Sequence, residues 1–555
     1  MRGGRKSPLL RAIKEHTQAT LIRGERTSFD DAVARIERGA ISRRRLIAFG
    51  GAAAAGAALA ACSFGRSRRI DSSPPPRVTP HDARVVIVGA GLAGITAAYR
   101  LTRAGIPVRL FEARERLGGR CWTARGFAQG QTAEHGGEFI DTRHVHIRRL
   151  AAELGLPMDD LFAAPGGSRW PNAVRGQLLS DRVVNQASHR VAVAATAAAR
   201  RVGLLHDRGK IRMAAISAGT ATPAAVAMDA LSMSAWLDRE VPGVLGSPMG
   251  DWFDESMAGW YGLNMDALSA VNWLDYFVIP APGADERWHV AGGNDRIVDA
   301  VARRLPSGTV RTGAALTAMR AQGGSYELDF DGVAGPVPAD LVVLAVPFST
   351  LRAVDLTASG LPEDRLAQIR DLVMGMDVKL LLQYDRRPAT FSDWSGGMEH
   401  TDPDFETWES SVAEPGAAGL ITVYAGGRTG ASWQAPVPHG PAPTGLADGI
   451  VRDIDRVVPG TAAHRIGTAW ADLWTLDPWT QGAYAAFAPG TYTRLWGALA
   501  RPAGNVHFAG EHTSTYSQGY LNGGVESGDR VAIEIMRTLG VPVPPALARL
   551  PYSAA

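Results

Sequence analysis

The chain is poor in cysteine: Cys62 and Cys121 are the only two in 555 residues. That excludes a disulfide-stapled scaffold, and any zinc or iron–sulfur site built mainly on thiolates. Lysine is nearly as scarce, since Lys6, Lys14, Lys210 and Lys379 are the only four among 58 basic residues. A surplus of one charge is also missing. A net charge of +3, with arginines spread along the chain, makes no case for nucleic acid. No apolar run reaches 18 uninterrupted residues, whereas a comfortable transmembrane span needs about 20. What the chain does have is 46% hydrophobic residues against 20% charged ones, with 63 glycines. Its length suits two to four domains around a sizeable core.

Ser42-Arg43-Arg44-Arg45-Leu46-Ile47 opens an apolar stretch, Leu46 to Ala61, of mostly Ala, Gly, Leu, Ile and Phe. Basic residues ahead of a short apolar run are the layout of an export signal. The arginine pair resembles a twin-arginine signal. Leu59-Ala60-Ala61-Cys62 resembles a bacterial lipobox, in which Cys62 becomes the lipidated first residue after cleavage. An Ala-rich helix with a chance cysteine is the plain alternative. Residues 63–82 include Pro74-Pro75-Pro76 and read as an extended linker. The expected location is the outer face of the bacterial cytoplasmic membrane through a lipid anchor, or the periplasm or extracellular space. The residues before Ser42 carry no reading.

Arg84-Val85-Val86-Ile87-Val88 is a β-branched run suited to a buried parallel strand. It leads into Gly89-Ala90-Gly91-Leu92-Ala93-Gly94 and a helical stretch to Arg103. Gly89 permits the tight turn, Gly91 lets backbone approach a pyrophosphate, and Gly94 lets helix and strand pack closely. The helix N-terminus turns its positive dipole end toward the phosphates. A second strand ends at Glu112, whose carboxylate suits ribose hydroxyls and repels a 2′-phosphate. Strand, glycines, helix and acid in this order are a strong dinucleotide signal, where the glycines alone are a weak one.

Glu112-Ala113-Arg114-Glu115-Arg116-Leu117-Gly118-Gly119-Arg120 resembles the E-A-x-x-R-x-G-G-R segment of the flavin amine oxidases, the family of monoamine, polyamine and L-amino-acid oxidases. The resemblance returns near the C-terminus. His507-Phe508-Ala509-Gly510-Glu511 is similar to the strand where the family holds the ribityl chain. Gly519-Tyr520-Leu521-Asn522-Gly523-Gly524-Val525-Glu526-Ser527-Gly528 is similar to the helix start beneath its isoalloxazine. The resemblance implies non-covalent FAD and an α/β fold, in which a Rossmann-type FAD domain is assembled from separated segments beside a mixed α+β substrate domain. The expected segments are 83–150, 285–345 and 470–540 for FAD, 151–284 and 346–469 for substrate, and 541–555 as a tail. Residues 160–280 carry no readable motif. Arg114, Gly119, Arg120, Gly137, Glu138, Leu316, Trp474, Gly510, Glu511 and Leu521 join Gly89, Gly91, Gly94 and Glu112 as expected cofactor contacts. Leu316 stands where the family usually has a valine whose backbone meets the adenine.

Lys379 sits in Met376-Asp377-Val378-Lys379-Leu380-Leu381-Leu382-Gln383-Tyr384, an apolar strand where an ammonium costs free energy unless it is paired or neutral. A lysine snorkelling from a strand edge is the plain alternative. The resemblance places Lys379 where the family carries a lysine bridged through water to flavin N5. Trp474-Thr475-Leu476-Asp477-Pro478-Trp479-Thr480-Gln481-Gly482-Ala483-Tyr484 resembles W-x-x-D-P-x-x-x-G-x-Y. Tyr484 and Tyr520 then match the two aromatic positions that flank the substrate nitrogen. Ala483 stands where animal monoamine oxidases bond a cysteine to the flavin, and alanine cannot form that thioether.

In Glu134-His135-Gly136-Gly137-Glu138-Phe139-Ile140-Asp141, Phe139 replaces the arginine that snake-venom L-amino-acid oxidases use for a substrate carboxylate. Asp141 falls where the resemblance implies that polyamine oxidases place a carboxylate or histidine to meet a distant ammonium, although a capping role before His144 fits as well. Glu138 is unusual at its position and is read as a possible second anionic contact. Arg143, His144 and His146 are entrance candidates or plain surface residues. Cys121 has no assigned chemistry. The expected activity is oxidation of a primary or secondary amine to an imine, then aldehyde, with O2 reduced to H2O2. Alternatives are an L-amino-acid oxidase, an amine dehydrogenase using a membrane quinone, and a flavin-binding lipoprotein without turnover. No metal site is expected.

Overall fold

The computed structural model describes residues 82–552, apart from 165, 207, 208 and 280. The signal, Cys62 and the linker up to residue 81 lie outside the described residues.

Strand β1 (Val85–Val88) is wholly buried and is followed by helix α1 (Leu92–Arg103) and β2 (Val108–Phe111). The short strands β3 (Asn172–Val174) and β4 (Gln177–Leu178) come next, then helices α2 (Pro248–Tyr261) and α3 (Asn272–Phe277). β5 (Val310–Arg311) and β6 (Leu341–Leu344) bracket an antiparallel meander that begins at Leu316. β7 (Val378–Tyr384), β8 (Met398–His400), β9 (Phe405–Glu409), β10 (Gly419–Ala425), β11 (His439–Pro441) and β12 (Arg465–Asp472) follow. β13 (Val506–Phe508) and helix α4 (Leu521–Thr538) complete the frame.

Five strands form a parallel sheet in the order β13-β6-β1-β2-β5. Strand order reverses between β1 and β6, and ligands of such sheets sit beyond the carboxyl ends at that point. This is the Rossmann-type layer, gathered from segments some 400 residues apart. Its two long helices touch through glycine: a Cβ on Gly528 of α4 would stand 2.4 Å from Ala93 O of α1.

Eight strands form a second sheet in the order β11-β12-β7-β10-β9-β8-β3-β4, antiparallel except for the β8–β3 pair. β12 carries this sheet to Asp472, two residues beyond the boundary expected at 470. β7 lies inside the sheet, so Lys379 is not an edge residue. Val378, Leu380, Leu382 and Tyr384 pack with Ile450, Val451 and Ile454 of the helix Thr444–Val457. Side chains alternate along a strand, so Lys379 faces the opposite side, toward the nucleotide layer. Residues 160–280, unreadable as motif, are largely helical, and Trp236, Trp252, Phe253, Trp273 and Phe277 pack in their core.

Candidate active site

A cavity of about 650 Å³ opens between the two layers. Gly89, Glu112, Ala345 and Gly510, which follow or border the carboxyl ends of β1, β2, β6 and β13, all line it. Gly89 takes φ +94°, a backbone setting that disfavours a side chain, and donates its N–H to Phe111 O at 2.7 Å. Gly94 does not line the cavity; a Cβ there would stand 1.9 Å from Gly89 O, so its hydrogen lets α1 close on β1. Gly91 precedes α1 without a side-chain cap, leaving the helix N-terminus open to an anion. A Cβ on Gly119 would come within 3.4 Å of Gly91 Cα, and both glycines border the cavity. Glu112 accepts from Ala90 N at 2.7 Å and Arg114 N at 2.9 Å, so it fixes the turn while facing the ribose position.

The remaining expected cofactor residues are tied to one another. Arg120 Nη1 donates to Ala483 O at 2.6 Å and Glu511 Oε1 at 3.0 Å. Glu511 also accepts from Ala485 N at 3.1 Å and Gly519 N at 2.8 Å, clamping the Tyr484 and Tyr520 segments together. Arg114 pairs with Asp477 at 2.7 Å, and Trp474 Nε1 donates to His135 O at 2.9 Å. A Cβ on Gly137 would strike Leu521 at 2.6 Å, at the start of α4. Gly137, Leu316, Trp474 and Leu521 all border the cavity, as does Ala483. An uncapped helix start, open space beside Gly91 at that start and a buried acid at the end of β2 fit a bound dinucleotide.

Lys379 Nζ has three protons and gives all three to protein acceptors. Its partners are Glu134 O at 2.9 Å, Gly136 O at 2.7 Å and Glu138 Oε2 at 2.9 Å. Glu138 Oε1 accepts from Trp408 Nε1 at 2.9 Å and Ser410 Oγ at 2.8 Å. The ammonium is therefore satisfied as a cation, and its three donors leave no N–H for a bridging water in this arrangement. Glu138, read from the sequence as a second anionic contact, is the counter-ion of Lys379.

Tyr484 and Tyr520 both line the cavity. Tyr484 Oη donates to Gly259 O at 3.0 Å and stands 3.3 Å from Tyr424 Oη. Burial holds all three phenols far above their usual pKa, and Asp377 adds to this at Tyr424 and Tyr484, so each is a neutral O–H. Phe139 packs edge-on against Trp408, with ring centres 5.3 Å apart. The wall also carries Asp275, Glu286, Asp377 and Glu406, with Arg143 as a cation.

A family model for flavin-containing amine oxidoreductases matches residues 92–536. The chain belongs to this family. It resembles pseudooxynicotine dehydrogenase of a Pseudomonas species, 23% identical over 90% of this chain and 96% of that protein. A putative flavin-containing monoamine oxidase of Mycobacterium tuberculosis is 27% identical over 83% of this chain and 98% of its own length. Among solved structures, cyclohexylamine oxidase from Brevibacterium oxydans superposes with a TM-score of 0.70 at 21% identity, covering 82% of this chain and 99% of that one. As a member of the flavin amine oxidoreductases, the chain is an FAD-dependent oxidoreductase acting on amine CH–NH groups.

The readings of Asp141, His144 and His146 need correction. Asp141 is not an entrance anion: it is fully buried, accepts from Asp285 N at 3.0 Å and Glu286 N at 2.7 Å, and pairs with Arg143 at 3.2 Å. It does not cap the helix Val145–Leu154 either, whose N-cap is His144. His144 and His146 are also buried; His144 is pushed down to about 4 by burial, and His146 bridges Asp529 and Pro551 O. Cys121, which has no assigned role from sequence, borders the cavity, and burial raises its thiol, which favours the protonated form.

Sequence reasoning missed Tyr261, Asp275, Asp377, Glu406, Trp408 and Tyr424 as cavity residues. A signal was present in Phe405-Glu406-Thr407-Trp408-Glu409, where an acid and a tryptophan alternate on one face of a short strand.

Proposed function

We propose that the substrate is a small cationic amine, taken from water and oxidised at its α-carbon to an imine that hydrolyses to an aldehyde. The observation that carries this reading is the meeting of neutral Tyr424 and Tyr484 with Asp377 and Glu406 in a cavity that Tyr520 and the Lys379–Glu138 pair also line. FAD, when bound, takes two electrons from the substrate as a hydride. Everything else falls to the chain. The acidic wall attracts the ammonium form, the aromatic slot strips its water, and desolvation favours the neutral amine whose lone pair assists C–H cleavage. Phe139 and the carboxylates disfavour an amino-acid carboxylate; of the lining cations, Lys379, Arg114 and Arg120 are each paired with an acid, as is Arg143.

We take O2 as the acceptor, giving H2O2. A second reading, a carrier other than O2, is supported by the neutralisation of Lys379 by Glu138, since an unpaired cation helps electrons reach O2. A dehydrogenase stands among the relatives. Rapid mixing of the reduced enzyme with O2 and with a soluble quinone separates the two. For location, the order of twin arginine, apolar run and Cys62 supports export and attachment to the outer face of the membrane through lipid.

A further inference from the structure

Register across the eight-stranded sheet lines up a row of ionisable side chains on one face. Lys379 of β7 is directly opposite Tyr424 of β10, Tyr424 is opposite Glu406 of β9, and Glu406 is opposite Glu399 of β8. Residues directly opposite one another point to the same side of a sheet. The row passes the cavity, which Lys379, Tyr424 and Glu406 line; beyond Lys379 it continues to Asp472 of β12 and His439 of β11, and in the other direction it runs away from the cavity toward Glu399.

Helix α2 lies over this row. A Cβ on its Gly259 would stand 3.1 Å from Glu406 Oε1, so the helix crosses Glu406 at a residue without a side chain. Glu255 lies four residues earlier, on the same helix face and one turn of about 5.4 Å away. Neighbouring strands lie about 4.8 Å apart, so one helical turn covers one strand step, and Glu255 comes to face Glu399. Glu255, Glu399 and Glu406 are all at most 6% exposed. Two facing buried carboxylates cannot both ionise, so Glu255 and Glu399 hold a proton between them. Burial and the facing Glu399 raise Glu255 well above the carboxylate range, with Glu406 and Asp404 adding to it. The groups around the row are Lys379, Tyr424 and Tyr484 on the cavity side, Asp377 before β7, Tyr276 of α3 beside Glu399, and Asp404 in the β8–β9 turn. Asp404 is only partly buried and is pushed up to about 6 by burial and by Asp254. It lies two residues before Glu406 in the chain and, unlike the three glutamates, is partly exposed.

We propose that Glu406, Glu399 and Glu255, with Asp404 at the outer end, form a proton outlet from the substrate cavity. The idea rests on the amine-oxidation reading. A small amine arrives as R–NH3+, and its nitrogen must lose a proton before its lone pair can assist loss of hydride from the α-carbon. Glu406 carboxylate accepts that proton, leaving R–NH2 and a neutral Glu406. The proton moves to the Glu399–Glu255 pair, the proton already held there leaves through Asp404 to water, and every carboxyl returns to its starting state. No electron moves in this step, and the deprotonated amine stays in the dry slot.

The test uses the FAD-loaded enzyme, mixed without O2 with cyclohexylamine or putrescine between pH 6 and 10, following the bleaching of the flavin. Glu406→Gln and Glu255→Gln keep the shape and remove proton transfer, and unchanged flavin spectra and melting temperatures verify their fold. For Glu406→Gln, bleaching should fall at least about tenfold at pH 6–7 with both amines. It should approach the parent's rate as pH rises toward the pKa of the free amine, where water supplies R–NH2 directly. Glu255→Gln should shift the profile the same way by a smaller amount. The proposal is overturned if the variants' profiles superimpose on the parent's, or if the loss is the same at every pH. It is also overturned if only the KM for putrescine rises, which would make Glu406 a binding site for a second ammonium. A parent enzyme bleached by no amine would instead overturn the function reading, and the outlet with it.

Discussion

Lys379 Nζ stands 2.9 Å from Glu138 Oε2, and both side chains are about 5% exposed. Removing one partner of such a pair leaves the other charged and buried, which costs about 3–5 kcal/mol. Trp408 and Ser410 hold the second oxygen of Glu138, so the carboxylate cannot turn to water when the lysine is lost.

Lys379→Met should therefore lower the melting temperature, and loss of its cation from the cavity wall should slow flavin reduction or reoxidation at least about tenfold. The double variant Lys379→Met/Glu138→Gln should recover part of the lost stability, since no orphan charge remains, without recovering the rate. Calorimetry and stopped-flow traces check both halves. Traces unchanged from the parent would remove Lys379 from the reaction.

Because Ala483 borders the cavity in place of a cysteine, FAD should leave with the supernatant when the protein is precipitated by acid. Colour retained in the pellet would contradict a removable cofactor.

Asp477 gives a pH signature. Burial opposes its ionisation, but hydrogen bonds from His439 and Arg114 overcome this and hold the carboxyl far below its usual range. A depressed carboxyl contributes stability that is present above its unfolded pKa of about 3.9 and is lost as pH falls through the folded value. Asp477→Asn should thus melt a few degrees below the parent at pH 7, with the gap narrowing below about pH 4. His439 runs the other way: burial lowers its pKa, but Asp472 and Asp477 raise it more. Its contribution is present below about pH 6.5 and is lost as pH rises through the folded value.

The parts of this site that were legible in the sequence are those whose chemistry forces a local residue type. Gly89 needs a positive φ, Gly94 needs the absence of a Cβ, and Glu112 ends a strand beside them, so the cradle can be read from spacing alone. Lys379 was conspicuous because lysine is rare in this chain and costly in an apolar strand. Glu406 and Tyr424 were hidden because their meaning comes from register: they face each other and Lys379 only once β7, β9 and β10 are paired. Asp141 misled for the opposite reason, since its position in a motif says nothing of the backbone amides of Asp285 and Glu286 that occupy it.

Cys62→Ala should leave unlipidated protein in the soluble fraction of the producing cell. Membrane attachment that persists in the variant would contradict the lipobox reading.

The proposed reaction is oxidation of a small cationic amine in this cavity. Its most direct test is anaerobic mixing of the purified yellow protein with monoamines, diamines, polyamines and L-amino acids, reading flavin absorbance. Bleaching by one or more amines, with amino acids inert, is the expected result. Bleaching by amino acids alone, or by nothing in the panel, would contradict it.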